Sequence, residues 1–98
     1  MSLEVRYSPE ALADVAEAFS WYQAQRPGLG WEFVGELEAT LSLLQRMPQA
    51  GPEVHRALRR ALLRRFPYAV YYALSPDRLQ VRAVLHMRRH PRRWQSRA

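Results

Sequence analysis

Apolar and polar residues alternate over Leu3, Glu4, Val5, Arg6 and Tyr7, the period of a half-buried strand. Ser8, Pro9 and Glu10 follow as a helix start, with a hydroxyl placed to cap, a proline at the first helical position and an acid in the first turn. Leu12, Val15, Phe19 and Tyr22 then recur at helical spacing, with Asp14 and Glu17 off that stripe, until Arg26, Pro27 and Gly28 stop the run. The pattern predicts a helix over 9–25. A second stripe of Phe33, Leu37, Leu41 and Leu44, with Glu32, Glu36 and Glu38 off it, predicts a helix over 29–46, ending before Met47 and Pro48. So short a link makes the two an antiparallel hairpin with most of the acids on its outer surface.

Residues 47–53 hold two prolines and a glycine and read as a loop. Beyond it, Tyr68–Leu74 is aromatic and β-branched, Ser75, Pro76, Asp77 and Arg78 form a turn, and Leu79, Val81, Ala83 and Leu85 alternate with Gln80, Arg82, Val84 and His86. This predicts an antiparallel strand pair with Leu79, Val81, Ala83 and Leu85 facing the helices and Arg82, Val84 and His86 on the opposite face. Residues 56–65 read as helix on propensity, because Ala, Leu and Arg are strong helix formers and Leu58, Leu62 and Phe66 lie four apart. A strand there puts Arg60 and Arg64 on the face of Leu58 and Leu62, and Pro67 pushes Phe66 out of the helical region.

At 98 residues, 48% of them hydrophobic, the chain has room for one domain over 1–98. No stretch approaches a membrane span, and the start lacks the basic-then-apolar pattern of a leader, so the expectation is a soluble, cytoplasmic protein without a membrane partner. Cysteine is absent, and His55, His86 and His90 do not have zinc-motif spacing, so neither a metal nor a cofactor is expected. All fifteen basic residues are arginine, which excludes Schiff-base, P-loop and general-base lysines. Residues 1–54 carry three arginines and eight acids, net −5, whereas residues 55–98 carry twelve arginines and one acid, Asp77, net +11. Such a split predicts a basic face suited to a polyanion or an acidic protein.

Four local patterns in order, Tyr7-Ser8-Pro9-Glu10-Ala11 with Asp14, Met47-Pro48 with Gly51, Arg65-Phe66-Pro67-Tyr68 leading to Tyr72, and His86 with Arg89, Pro91 and Trp94, resemble the RelE/ParE superfamily of bacterial toxins. The match covers residues 3–97 and is most similar to the ParE-type, plasmid-stabilisation branch. The resemblance implies an α+β fold with an N-terminal strand, a two-helix hairpin on a small antiparallel sheet of about four strands, residues 57–65 as a strand, and a basic C-terminal tail. It further implies a toxin of a type II toxin-antitoxin module, neutralised by a cognate antitoxin. ParE-type members are similar to inhibitors of DNA gyrase, whereas RelE-type members resemble ribosome-dependent mRNA interferases, metal-independent endoribonucleases that cut messenger RNA on the ribosome.

Cleaving RNA through its 2′-hydroxyl needs a base, positive groups around the phosphate and an acid for the leaving oxygen. Arg65, Arg82, His86 and Arg88 are the candidates for the nuclease alternative, but the sequence has no lysine, and Trp94 is the only aromatic of the tail. The balance favours the ParE branch. Arg59, Arg82, Arg88, Arg89, Arg92, Arg93 and Trp94 are the candidates for contact with the antitoxin or with nucleic acid, since the guanidinium fork pairs with carboxylate and phosphate alike. Tyr68, Tyr71 and Tyr72 read as core and the tail from Arg88 as solvated, whereas Trp21, Tyr22 and Trp31 near the hairpin turn suit ordinary packing more than an exposed interaction patch. No helix-turn-helix spacing supports a repressor.

Overall fold

A computed structural model describes residues 3–98; Met1 and Ser2, part of the start that was read as carrying no leader, lie outside them. The chain runs β1 (Glu4–Tyr7), α1 (Pro9–Gln25), α2 (Leu29–Arg46), β2 (Glu53–His55), β3 (Leu58–Leu62), β4 (Tyr68–Ser75), β5 (Arg78–His86) and α3 (Arg92–Gln95). Both long helices begin and end where the pattern placed them. Ser8 caps α1, its hydroxyl accepting from the Ala11 amide at 3.1 Å. At the hairpin turn Gly28 takes a φ of 95°, left-handed backbone that a side chain would strain. The Gln23 carboxamide oxygen accepts from the amides of Gly28 and Gly30, both at 3.0 Å, satisfying donors that the start of α2 leaves free.

The sheet has five strands in the order β1-β5-β4-β3-β2, not about four, and it is mixed. Strands β2 to β5 pair antiparallel, but β1 lies parallel to β5, Val5 opposite Leu79. The missed strand explains both differences. Each short connection reverses the chain, so two helices and four further strands after β1 bring β5 back in its direction, whereas three would have opposed it. The helix hairpin is the crossover that a parallel pair requires. Residues 58–62 pair with β4, from Arg59 opposite Tyr72 to Leu62 opposite Ala69, so sheet pairing overrides the helical propensity of that segment.

In β5 the alternation slips by one residue. Tyr71 faces Ala83 while Tyr72 faces Val81, leaving Arg82 as a bulge with no partner. Leu79 and Val81 face the helices as expected, but beyond the bulge Val84 takes that face, and Ala83 and Leu85 turn to the other. The main core therefore joins Phe33, Leu37, Leu41 and Leu44 of α2 and Ala11, Ala18 and Tyr22 of α1 to Val70, Tyr72, Leu79, Val81 and Val84. Burying each large apolar side chain contributes about 1.5–3 kcal/mol. Leu12, expected on this stripe, is exposed; besides Tyr22, α1 buries Ala11, Asp14 and Ala18, small residues on the side that faces the sheet.

The other sheet face carries a smaller core of Leu58, Ala69, Tyr71, Ala83, Leu85 and Trp94. Trp94, on α3, stacks on Tyr71 with centroids 4.7 Å apart and planes at 13°. The tail is thus a docked cap and not the solvated extension that its charge suggested. On the opposite side of β4, Tyr72 pins the proline-glycine loop: its hydroxyl donates to the Pro48 carbonyl at 2.7 Å and accepts from the Gly51 amide at 3.1 Å. Gly51 is required there, because a Cβ would lie 2.6 Å from the Arg60 carbonyl oxygen and 2.7 Å from the Tyr72 hydroxyl.

Replacing Tyr72 by Phe should lower the urea unfolding free energy by about 1–3 kcal/mol, since it strands the Gly51 amide and the Pro48 carbonyl. Burial raises the Tyr72 phenol, against smaller opposing effects of the Gly51 amide and Arg59. Above about pH 10 the unfolded chain sheds a proton that the folded phenol keeps, so stability falls as pH rises. Burial also raises Tyr7, Tyr22 and Tyr68, so Tyr72→Phe should make that alkaline loss shallower without abolishing it.

Trp94→Ala should cost about 3–5 kcal/mol in the same measurement. Replacing Arg88, Arg89, Arg92 and Arg93 together by Gln should cost little, since all four are exposed and each surface change is worth about 0.5 kcal/mol or less. A Trp94→Ala protein as stable as the parent would mean that α3 is not docked.

Candidate functional site

The arginines divide into two groups, those consumed by the fold and those left facing solvent. Arg59 belongs to the first: from β3 its guanidinium donates to the Gly51 carbonyl at 2.7 Å and lies 3.6 Å from Glu53. Arg65 reaches back to α2, its guanidinium donating to Glu32 at 2.7 Å and its amide to Glu36 at 3.2 Å. That contact, with a second from Arg26, holds the Glu32 carboxyl below the usual carboxylate range. Arg82, the bulged residue, donates to Gln80 at 2.8 Å and to the Arg97 carbonyl at 2.9 Å.

Arg97 completes this group. Its guanidinium spans Asp14, one nitrogen on each carboxylate oxygen, and also donates to the Arg82 carbonyl at 3.2 Å. The second carboxylate oxygen of Asp14 accepts from the Val84 amide at 3.0 Å as well. Asp14 is the sole buried charged side chain among the described residues. Neither it nor Arg97 stood out in the sequence as a functional pair. The available signal was an acid at position 14 between Ala11 and Ala18, on the stripe where α1 touches the sheet.

The second group gathers where β5 ends. His86 is half-buried, its ring edge-on to Tyr68 at 5.3 Å, and its Nδ1 accepts from the Arg88 amide at 3.1 Å, so the neutral ring carries its proton on Nε2. Arg89 donates to Glu17 of α1 at 3.0 Å. Arg88, Arg92 and Arg93 are exposed and have no carboxylate within 4.0 Å among the described residues. His86, Arg88 and Arg89 line a cleft of about 610 Å³ with Trp21, Tyr22 and Tyr68. Of the three aromatics near the hairpin turn that read as ordinary packing, Tyr22 is buried but Trp21 and Trp31 are exposed, at 58% and 66%. Trp94, expected to contact a partner, is buried against Tyr71.

The four residues of the nuclease alternative therefore stand in three places. Arg65 lies against α2, Arg82 lines a cavity with Ser8, Gln80 and Arg97, and only His86 and Arg88 share the cleft. A further groove, between α2 and β3, is strongly apolar: Leu43, Ala61 and Leu62 line it, with Arg46, Arg60 and Arg64 and one acid, Glu36, among the charged residues of its lining. Leu43 and Leu62 are 41% and 51% exposed, and no described residue covers them, which gives the groove an apolar patch open to a partner.

Among solved structures, one described as a chromosomal ParDE TA system from P. aeruginosa shares this fold, with a TM-score of 0.76 and 17% sequence identity over 87% of this chain and 96% of that one. No curated protein matches the sequence. Residues 5–91 match the family described as the ParE toxin of the type II toxin-antitoxin system parDE, a span running from β1 past the cleft arginines. With that span matched and its strands, hairpin and sheet arranged as in the ParDE structure, the chain belongs to the ParE family of type II toxins.

Proposed function

We propose that this toxin acts on DNA gyrase as a binding inhibitor and not as a nuclease. Family membership over residues 5–91 supports the ParE-type activity. The observation that carries the choice is the dispersal of Arg65, Arg82 and His86 with Arg88 over three parts of the surface, two of them tied up in internal hydrogen bonds. Proton transfer to and from one phosphodiester needs the base, the acid and the positive groups within hydrogen-bond reach of a single point. A binder has no such requirement, and exposed arginines free of acid partners suit contact with a large macromolecular target.

Its cognate antitoxin, in this reading, takes the apolar groove between α2 and β3. An amphipathic segment with aliphatic anchors would cover Leu43 and Leu62, and carboxylates on its flanks would meet Arg46, Arg60 and Arg64. The exposed arginines from Arg88 to Arg93 add a nonspecific, salt-sensitive affinity for nucleic acid.

Purified toxin added to gyrase and relaxed plasmid should suppress supercoiling while leaving a cell-free translation reaction running. Antitoxin should restore supercoiling, and a Leu62→Glu toxin should resist that rescue because a buried carboxylate at the groove opposes docking. Cleaved messenger RNA in the translation reaction, lost in His86→Ala or Arg82→Ala, would establish the ribonuclease instead.

A further inference from the structure

The cleft at the end of β5 sets aromatic rings beside arginines. One wall is Trp21, whose indole is 58% exposed and held edge-on by Tyr22 at 5.1 Å. Tyr68 lines the same cleft, half-buried, its ring in contact with His86 as well as with Tyr22 and Phe33. Positive charge sits at the rim. Arg89 is oriented by its contact with Glu17, Arg88 has no acid partner among the described residues, and Arg93 borders an adjoining small cavity with Tyr68, His86 and Arg89. The Nε2–H of His86 adds a further donor to the cleft.

We infer that this cleft is a binding site for single-stranded nucleic acid, with a base stacked on Trp21 and Tyr68 and the adjoining phosphates on Arg88, Arg89 and Arg93. An exposed indole beside guanidinium groups is the arrangement by which proteins hold unpaired bases: the flat ring takes any base face, and the fork-shaped cations take the backbone. A duplex keeps its bases stacked inside and has none to offer the cleft. Several arginines in succession suit consecutive phosphates better than a mononucleotide, which fills one position. This site differs from uniform attraction to the basic half, because it reads the presence of a base as well as the backbone charge, and it is independent of which enzyme the toxin inhibits.

The test is fluorescence anisotropy of the full-length toxin with a labelled eight-nucleotide thymidine oligomer and with an eight-unit abasic phosphodiester of the same charge. The abasic strand should bind at least about fivefold more weakly, the effect of one stacked base. Trp21→Ala should erase that difference, Trp21→Phe should keep much of it, and Trp31→Ala, which removes an exposed indole outside the cleft, should leave it unchanged. Arg88→Gln should weaken both strands together and reduce the salt dependence by about one phosphate contact. Equal affinity for the thymidine and abasic strands would overturn the proposal and leave plain polyanion attraction. Competition by thymidine monophosphate at concentrations similar to the oligomer would assign the cleft to a mononucleotide, and stronger competition by an eight-residue glutamate peptide would assign it to an acidic protein. A difference that survives in Trp21→Ala would place the stacking elsewhere.

Discussion

One carboxylate joins three distant parts of this chain. Asp14, in the middle of α1, accepts the Val84 amide just past the bulge in β5 and pairs through both oxygens with Arg97 near the C-terminus. The Asp14 and Arg97 side chains are 7% and 18% exposed, so the pair lies largely out of water, where each ion alone would cost several kcal/mol. The surrounding polar groups make the burial tolerable. Arg82 and Arg97 exchange hydrogen bonds with one another's carbonyls, and Ser8 donates to the Arg82 carbonyl at 3.4 Å, so the slipped residue is held from the N-cap of α1 and from the tail, while Asp14 holds Val84 beyond it.

The geometry of the surface follows from that bulge. Were β5 regular, His86 would share the face of Arg82, away from the helices, and Ala83 and Leu85 would sit under them. The slip brings Val84 into the main core and carries His86 to the helix side, where its ring meets Tyr68 and helps shape the cleft beside Trp21. It also turns Ala83 and Leu85 to the second face, giving Tyr71 and Trp94 an apolar floor. A tail rich in arginine can then dock through its single indole while Arg92 and Arg93 point outward. The toxin thus keeps its cations available by using a few of them, Arg59, Arg82 and Arg97, as internal donors.

Much of the fold was legible because it rests on periodic burial. The helix stripe of Phe33, Leu37, Leu41 and Leu44 is buried as read, and the turn from Ser75 to Arg78 joins β4 to β5. The strand at 58–62 was not legible locally, since its Ala, Leu and Arg residues favour a helix; only pairing with β4, supplied in the reading by family resemblance, makes it a strand. β2 escaped notice because three residues between prolines and a tight turn carry almost no alternation, and missing it reversed the expected direction of β5 against β1. The bulge left one mark in the pattern: Val84 breaks the alternation, giving the apolar run Ala83, Val84 and Leu85, in which periodicity alone does not say which residue takes which face. Asp14 is polar and lies off the stripe of large apolar residues that includes Leu12, yet it shares the buried face of α1 with Ala11 and Ala18. The cleft depends on that unseen slip, so its aromatic and cationic members were identified separately in the sequence but not as neighbours.

The central claim is that Asp14 and Arg97 act as a unit that holds the bulged strand and the tail to α1. A double-mutant cycle with Asp14→Asn, Arg97→Gln and the double variant, followed by urea unfolding, measures this directly. Each single change should cost about 3 kcal/mol, because it leaves the partner charge buried and unpaired. The double variant should cost well under their sum, giving a coupling above about 1 kcal/mol. Losses that add to within about 0.5 kcal/mol would show that the two residues stabilise the toxin independently and would contradict the account.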